Sequence, residues 1–403
     1  MPAVLFVGAG RHQRRAIRRL RELGCRVVAV DRDAQAPGLA EADAHEVVDF
    51  ANAAAVADAG RRHAVDGVLT AFSDRAVPVV AAVAEELGLP GIGRTTARAA
   101  TNKLAMRRRL AAAGIPQPPF AAVRGADDAD ALDRVGLPAV LKPADSAGQR
   151  GVFCIRSRSE LAERLPQTLA ESPSGEAIVE RFHHGLEVNA LLVACAGEPR
   201  LLTLSDRLRP DGASPGFGVA LAHVFPSSLA GPARAEAERV AAETVRAVGL
   251  RDGVAYPQLL VTAAGDALVL EVAARVPAGQ MDEVARLGVG VDLIEVALRQ
   301  SLGQPVDALL ARARAPQPLA VFFLTAEPGP LQPGVVRRLN GLERVRMLPG
   351  VVGAEVYLHP GDTVRPVRVD GDRKGFVIAT ANTADEALER ARAAAAAIEV
   401  EVA

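Results

Sequence analysis

The sequence predicts a chain of mixed α/β and α+β class in three domains, and three observations carry that expectation. Its first 95 or so residues alternate short apolar runs with amphipathic stretches, the signature of strands and helices in a parallel, doubly wound sheet. Strand-rich stretches follow a proline cluster at Ile115–Pro119, which marks a boundary because each proline fixes φ and removes a backbone donor. At 403 residues the chain also exceeds what one hydrophobic core supports.

Ala3–Val7 is an apolar strand, followed by Gly8-Ala9-Gly10, a helix over Arg14–Leu23 and a strand over Arg26–Val30 that ends at Asp31. This is a βαβ unit, extended by a strand at Gly67–Ala71 and an amphipathic helix at Asp74–Leu87. Gly8, Gly10 and Asp31 also fit a dinucleotide fingerprint, and so a nicotinamide oxidoreductase. Gln13, however, stands at the third glycine position, where helix and strand must pack closely. Thr95 or Thr96 caps a helix that carries Lys103, Met106 and Leu110 and ends near Gly114. Residues 120–182 form a small lobe of alternating strands and helices, and a helix at Pro232–Val248 and a hairpin around Gly265 complete the middle of the chain to about Leu302. Pro316 opens a last unit with strands at Leu319–Leu324 and Gly375–Ala379 and a helix at Asp385–Ile398 capped by Thr383. The expected domains are 1–95, 96–303 and 304–403.

Composition narrows the partners. Half the chain is apolar (49%) with no Trp and two Tyr, so packing relies on Ala, Val and Leu, and the stacking platforms of a single-strand nucleic-acid binder are scarce. A net charge of -1 with both signs interspersed leaves no electrostatic footprint for nucleic acid or an anionic membrane. The expected partners are small molecules, with a homodimer as the default assembly. Cys25, Cys154 and Cys195 lie far apart without metal-ligand spacing and are expected as buried, reduced thiols. The chain starts on an apolar strand and has no run long enough to span a bilayer, so the expected location is cytoplasmic.

Of 47 basic residues only three are lysines, and two of them, Lys103 and Lys142, fall in segments suited to a nucleotide triphosphate. A chain that uses Arg almost everywhere keeps Lys where a compact ammonium on a thin stem is needed. Lys142 lies within Pro138–Val152: an apolar run, one cation, a small-residue loop with Ser146, Gly148 and Gly151, then a second apolar run. That is a strand, a flap and a strand. Glu180 ends one apolar strand and Glu187 begins the next, and a buried carboxylate needs a partner. The adenine edge suits Glu180 with the backbone of Arg181 and Phe182, and paired ribose hydroxyls suit Glu187. Both acids facing solvent at a hairpin is the alternative.

Tyr256–Gly279 reads as two strands joined by a tight turn at Ala264-Gly265. A two-residue loop sets Ala263 opposite Asp266, and counting outward sets Gln258 opposite Glu271 with Cβ atoms about 4.5 to 5.5 Å apart. The two-residue period adds Ala273 and Arg275 to the same face. Mg²⁺ needs only one or two carboxylates when phosphate oxygens and waters complete its octahedron, so Glu271 with Gln258 suffices. Arg207, within Ser205–Pro210, and His223 are candidate substrate contacts.

In this order the pieces resemble the ATP-grasp superfamily of carboxylate-amine ligases over nearly the whole chain. The strings EVAARVPAGQMDEVARLGVGVDLIE and GFVIATANTADEALERA look most like the L-amino acid (dipeptide) ligase branch. The resemblance implies a Rossmann-like N-terminal domain, a two-lobed ATP-grasp central domain and a small α+β C-terminal domain. It implies ATP and Mg²⁺ as cofactors, with an acid and an amine as substrates. Lys103, Lys142, Ser146, Gly148, Gly151, Glu180, Arg181, Phe182 and Glu187 match the ATP-binding positions, Glu271 with Gln258 the metal site, and Arg275, Lys142 and Glu271 the catalytic set. Two departures stand out. Gln258 replaces a common acid and Ala273 a common Asn, which leaves one of two metals missing or more solvated; Ala147 and Gln149 replace glycines, which stiffens the flap. Bicarbonate- or formate-using ligases of the purine and biotin type are the alternative within the superfamily, and a non-catalytic nucleotide-binding regulator is the alternative outside catalysis.

Overall fold

The structure is a computed structural model that describes residues 1–125, 128, 130–210 and 216–403. Strands β1 (Ala3–Val7), β2 (Arg26–Asp31), β3 (Ala44–Val47) and β4 (Gly67–Leu69) form a parallel sheet in the order β3-β2-β1-β4. Alternate residues of β1 feed two cores: Val4 and Phe6 pack with Ile17 and Leu20 of helix α1 (Arg14–Glu22). Leu5 and Val7 pack with Val56 of α2 (Ala53–Arg62) and Val83 of α3 (Val77–Leu87). Burial on both faces explains why β1 is an unbroken apolar run.

The glycine loop expected of a dinucleotide site is closed by its own domain. Asp31 Oδ2 accepts from the Ala9 N–H at 2.7 Å, Gln13 Nε2 donates to Ala71 O at 3.1 Å, and Gly38 packs its backbone onto Ala9. The acid that would seek a ribose is spent on the loop itself. The helix expected to carry Lys103 is two helices, α4 (Arg94–Thr101) and α5 (Lys103–Ala112). Asn102 breaks them with an extended backbone and caps α5, its side chain accepting from the Ala105 N–H at 2.9 Å. Thr95 and Thr96 lie inside α4 and cap nothing; Thr96 Oγ1 donates to Gly249 O.

β5 (Phe120–Val123), β6 (Ala139–Pro143), β7 (Phe153–Ile155) and β8 (Ala177–Arg181) make a small antiparallel sheet in the order β5-β8-β6-β7. The strand, flap and strand expected around Lys142 are β6, residues 144–152 and β7.

The remaining strands are β9 (Leu186–Cys195), β10 (Glu198–Leu208), β11 (Ala222–Phe225), β12 (Gly253–Val261) and β13 (Ala267–Ala273). Beyond them come β14 (Leu319–Phe323), β15 (Gly334–Asn340), β16 (Val351–Val356), β17 (Thr363–Val364), β18 (Gly375–Thr380) and β19 (Glu399–Val402). Eight of these form one sheet in the order β13-β12-β9-β10-β11-β14-β18-β16. The strands expected to make a separate last unit, Leu319–Leu324 and Gly375–Ala379, thus extend the central sheet through the β11–β14 pairing. The helix Ala384–Ala396, capped by Thr383 as expected, covers that extension.

The hairpin of β12 and β13 differs from expectation at its turn. Val261 pairs with Ala267, so the loop holds three residues beyond the Thr262–Asp266 closure rather than two, with Gly265 at φ +93°. A β-bulge between Gln258 and Leu259 then inserts Leu270 and restores Gln258 opposite Glu271. The cysteines are all free, but only Cys25 is buried; Cys154 and Cys195 are partly exposed. Among the described residues no helix is long and apolar enough to cross a membrane.

Candidate active site

One cleft gathers side chains from α5, the flap, the face of the large sheet, the turn after β4 and the turn before β18. Eight basic and five acidic residues line it, a surplus of three positive charges in a chain whose net charge is -1. An anionic ligand is therefore favoured in this cleft over the rest of the surface.

Lys103, the first residue of α5, donates from Nζ to Ser146 O of the flap at 2.7 Å and stands 3.7 Å from Glu271 Oε1. Lys142 on β6 sets its Nζ 2.7 Å from Glu180 Oε2. Arg107, one turn after Lys103, grips the same carboxylate with Nε and Nη2 at 2.8 and 2.9 Å and also donates to Val269 O and Leu270 O of β13. Burial pushes the Glu180 carboxyl up, but Arg107 and then Lys142 outweigh it and hold the group down at about 2. Burial lowers the Lys142 ammonium, since it shares with Arg107 the one carboxylate that opposes the effect.

Glu180, Arg181, Phe182 and Glu187 all line the cleft, and each has polar groups already engaged within the protein. Glu180 lines the cleft, yet both carboxylate oxygens are already bonded to cations rather than open to an adenine edge. The N–H groups of Arg181 and Phe182 donate to Pro119 O and Pro138 O at 2.9 Å, so they are not donors for a base. Glu187 also lines the cleft, with its oxygens paired to Arg207 Nη1 and Arg209 Nε, each at 2.6 Å. Ser146 and Gly148 line the cleft; Gly151 does not, and its Cα face packs on Pro143 and Glu171.

Gln258 and Glu271 do face each other, and Leu270, Glu271, Ala273 and Arg275 all line the cleft. The bulge explains why two successive residues, Leu270 and Glu271, turn to one side. Glu271 is the sole carboxylate of that pair, with an amide beside it and 37% of its side chain exposed, a donor set that suits a Mg²⁺ taking most of its ligands from phosphate and water.

Arg275 is held by Asp74, Nε to Oδ1 at 2.7 Å and Nη2 to Oδ2 at 2.6 Å. Asp74 follows the C-terminal end of β4, beside the β1/β4 reversal of strand order where ligands of such sheets gather; that position is the signal available in the sequence. Arg207 and His223 are register partners on β10 and β11 and both line the cleft. Burial pushes His223 well below the usual histidine value, and Asn189 Nδ2 lies 3.0 Å from its Nδ1, which assigns the ring proton of a neutral imidazole to Nε2. Arg209, Asp370 and Arg373 line the same cleft and carry no local sequence signal. The Asp370 N–H donates to Gly148 O at 3.0 Å and so ties the flap to the C-terminal segment.

Comparison with known proteins follows the same layout. Residues 18–91 match the ATP-grasp N-terminal domain, 102–309 the carbamoyl-phosphate synthase L chain ATP-binding domain, and 323–403 the L-amino acid ligase C-terminal domain 2. The formate-dependent phosphoribosylglycinamide formyltransferase of Burkholderia pseudomallei is 29% identical over 98% of this chain and 94% of its own length. An uncharacterized protein, y4rH of Sinorhizobium fredii, is 28% identical over 82% of this chain and 68% of its own. The fold superposes on the crystal structure of the L-amino acid ligase from Bacillus licheniformis with a TM-score of 0.85, at 20% identity and over 100% of this chain and 99% of that one.

Proposed function

Because the chain belongs to the ATP-grasp superfamily, we propose that it is an ATP- and Mg²⁺-dependent ligase that activates an amino acid carboxylate as an acyl phosphate and joins it to an amine. A carboxylate oxygen attacks the γ-phosphorus of ATP, the bond from that phosphorus to the β–γ bridging oxygen breaks, and ADP leaves. The amine nitrogen then attacks the acyl carbon, phosphate leaves with the C–O bond electrons, and the nitrogen loses a proton. Neither step needs a protein nucleophile; both need positioning and neutralisation of charge.

Lys103 and Lys142 hold phosphates, and Ser146 and Gly148 close the flap over them. Glu271 with Gln258 would hold Mg²⁺, which when bound neutralises phosphate oxygens. Arg275, aimed by Asp74, steadies the transferred phosphoryl group. The flap keeps water out, because an acyl phosphate open to solvent hydrolyses before an amine arrives. Arg207 and His223, register partners that line the cleft, are assigned to the acid substrate.

One observation carries the amino acid reading: the segment that matches the L-amino acid ligase C-terminal domain is the one that supplies Asp370 and Arg373 to the cleft. The full-length likeness to a formate-dependent transferase supports the rival, with formate or bicarbonate as the acid. An ADP-release screen across pairs of L-amino acids, with formate and bicarbonate arms and hydroxylamine trapping, separates them. Amino-acid-dependent ADP release with an aminoacyl hydroxamate supports the proposal. Release with formate or bicarbonate alone, or none in any arm, overturns it.

A further inference from the structure

We infer that Asp370 is the contact for a protonated amino group on the acid substrate, so that the acyl donor is an α-amino acid and not a plain carboxylic acid. This rests on the ligase reading above and narrows it. The other four acids of the cleft all have cations beside them: Asp74 has Arg275, Glu180 has Arg107 and Lys142, Glu187 has Arg207 and Arg209, and Glu271 has Lys103. Asp370 differs. Its Oδ2 is 3.4 Å from Arg373 Nη2, and its Oδ1 is shielded from solvent with no hydrogen-bond partner among the described residues. A charged acceptor placed that way is costly unless a donor arrives with a ligand.

The chemistry of the donor follows from the surroundings. Arg373 already lies alongside, its guanidinium 4.4 Å from the centre of the Phe323 ring and its Nε donating to the Asp370 carbonyl at 3.3 Å. A compact, positively charged nitrogen complements the remaining oxygen better than a further planar group. The reaction supplies a reason for putting a carboxylate there. An amino group beside an anion stays protonated and is no nucleophile, so the donor's own amine does not compete with the acceptor amine for an acyl carbon. The acceptor amine must be neutral to react, and a carboxylate contact would oppose that.

The site also reaches the flap. The backbone N–H of Asp370 donates to Gly148 O at 3.0 Å, so the residue that meets the ammonium anchors the lid over the phosphates. An amino acid that settles the Asp370 side chain thereby favours the closed flap.

The test is Asp370→Asn in the full chain, which keeps the shape and the backbone N–H but removes the charge. ADP release is followed with hydroxylamine as a common neutral acceptor, comparing L-alanine with propionate and L-leucine with 4-methylpentanoate. In the wild type the amino acid of each pair should have the lower KM. The variant should raise the amino acid KM by about 10- to 100-fold, the range for losing a hydrogen bond to a charged group, while the KM values for ATP and the des-amino acid stay put. Amino-acid-dependent release that Asp370→Asn leaves unchanged overturns this inference alone. Release with formate or bicarbonate but no amino acid overturns the ligase reading with it. Should the variant fail to fold, equal KM values for each pair in the wild type overturn the inference by themselves.

Discussion

Arg107 and Glu180 meet in a two-pronged ion pair, 2.8 and 2.9 Å, with side chains 0% and 3% exposed. Through this pair α5 is fastened to β8, and through the remaining Arg107 donors to the Val269 and Leu270 carbonyls of β13, next to Glu271. The small lobe and the large sheet are thus joined at a point that Lys142 also touches. Arg107→Met is expected to cost about 3 to 5 kcal/mol, because it leaves Glu180 buried with one cation instead of two. Urea denaturation checks this, and adding Glu180→Gln should recover part of the loss.

The same carboxylate makes stability depend on acid. Glu180 is held at about 2 against an ordinary 4.5, so its contribution is fully present above pH 4.5 and is lost as pH falls toward 2. The shift corresponds to about 3 kcal/mol, of which about 2 kcal/mol should be gone by pH 3. Urea midpoints of wild type and Glu180→Gln at pH 7 and pH 3 should converge at the lower pH; a gap that stays constant would sink the assignment.

Lys142→Ala and Glu271→Ala should each lower the rate of ADP release by about two to three orders of magnitude, the usual loss when one preorganised charge contact is removed. Glu271→Ala should also raise the Mg²⁺ concentration needed for half-maximal rate. Near-wild-type ADP release by either variant would remove these residues from the site.

Arg275 and Asp74 lie 201 residues apart in sequence and form a two-pronged pair across the cleft wall. Asp74→Asn keeps the shape and frees the guanidinium to wander, which should lower kcat by about 10- to 100-fold with little change in the ATP KM. Arg275→Lys should do no better, because an ammonium cannot hold both Asp74 oxygens and still present a flat face to phosphate.

Much of the site was legible before the structure because it lies on strands whose period of two is local. Lys142 on a strand before a flap, and Glu271 on one face with Ala273 and Arg275, needed only alternation along their own segments. A two-residue turn predicts Gln258 opposite Glu271, whereas the strands use a three-residue loop and regain that pairing at the Leu270 bulge. Thr383 caps its helix as its spacing indicates, while the break at Asn102 is hidden by an apolar pattern that runs on from α4 into α5.

Along an unbroken strand the sequence alone determines which face a side chain takes, because backbone geometry sets it within a few residues; the facing of Leu270 depends on the bulge and came from the tertiary structure. Which cation meets each carboxylate was decided by tertiary structure: Glu187 by Arg207 and Arg209, Asp74 by Arg275, Glu180 by Arg107. The entry of Asp370 into the cleft is of the same kind. Such pairings depend on the order in which strands join a sheet and on how three segments close around one cleft, and desolvation rewards them only once that packing has excluded water.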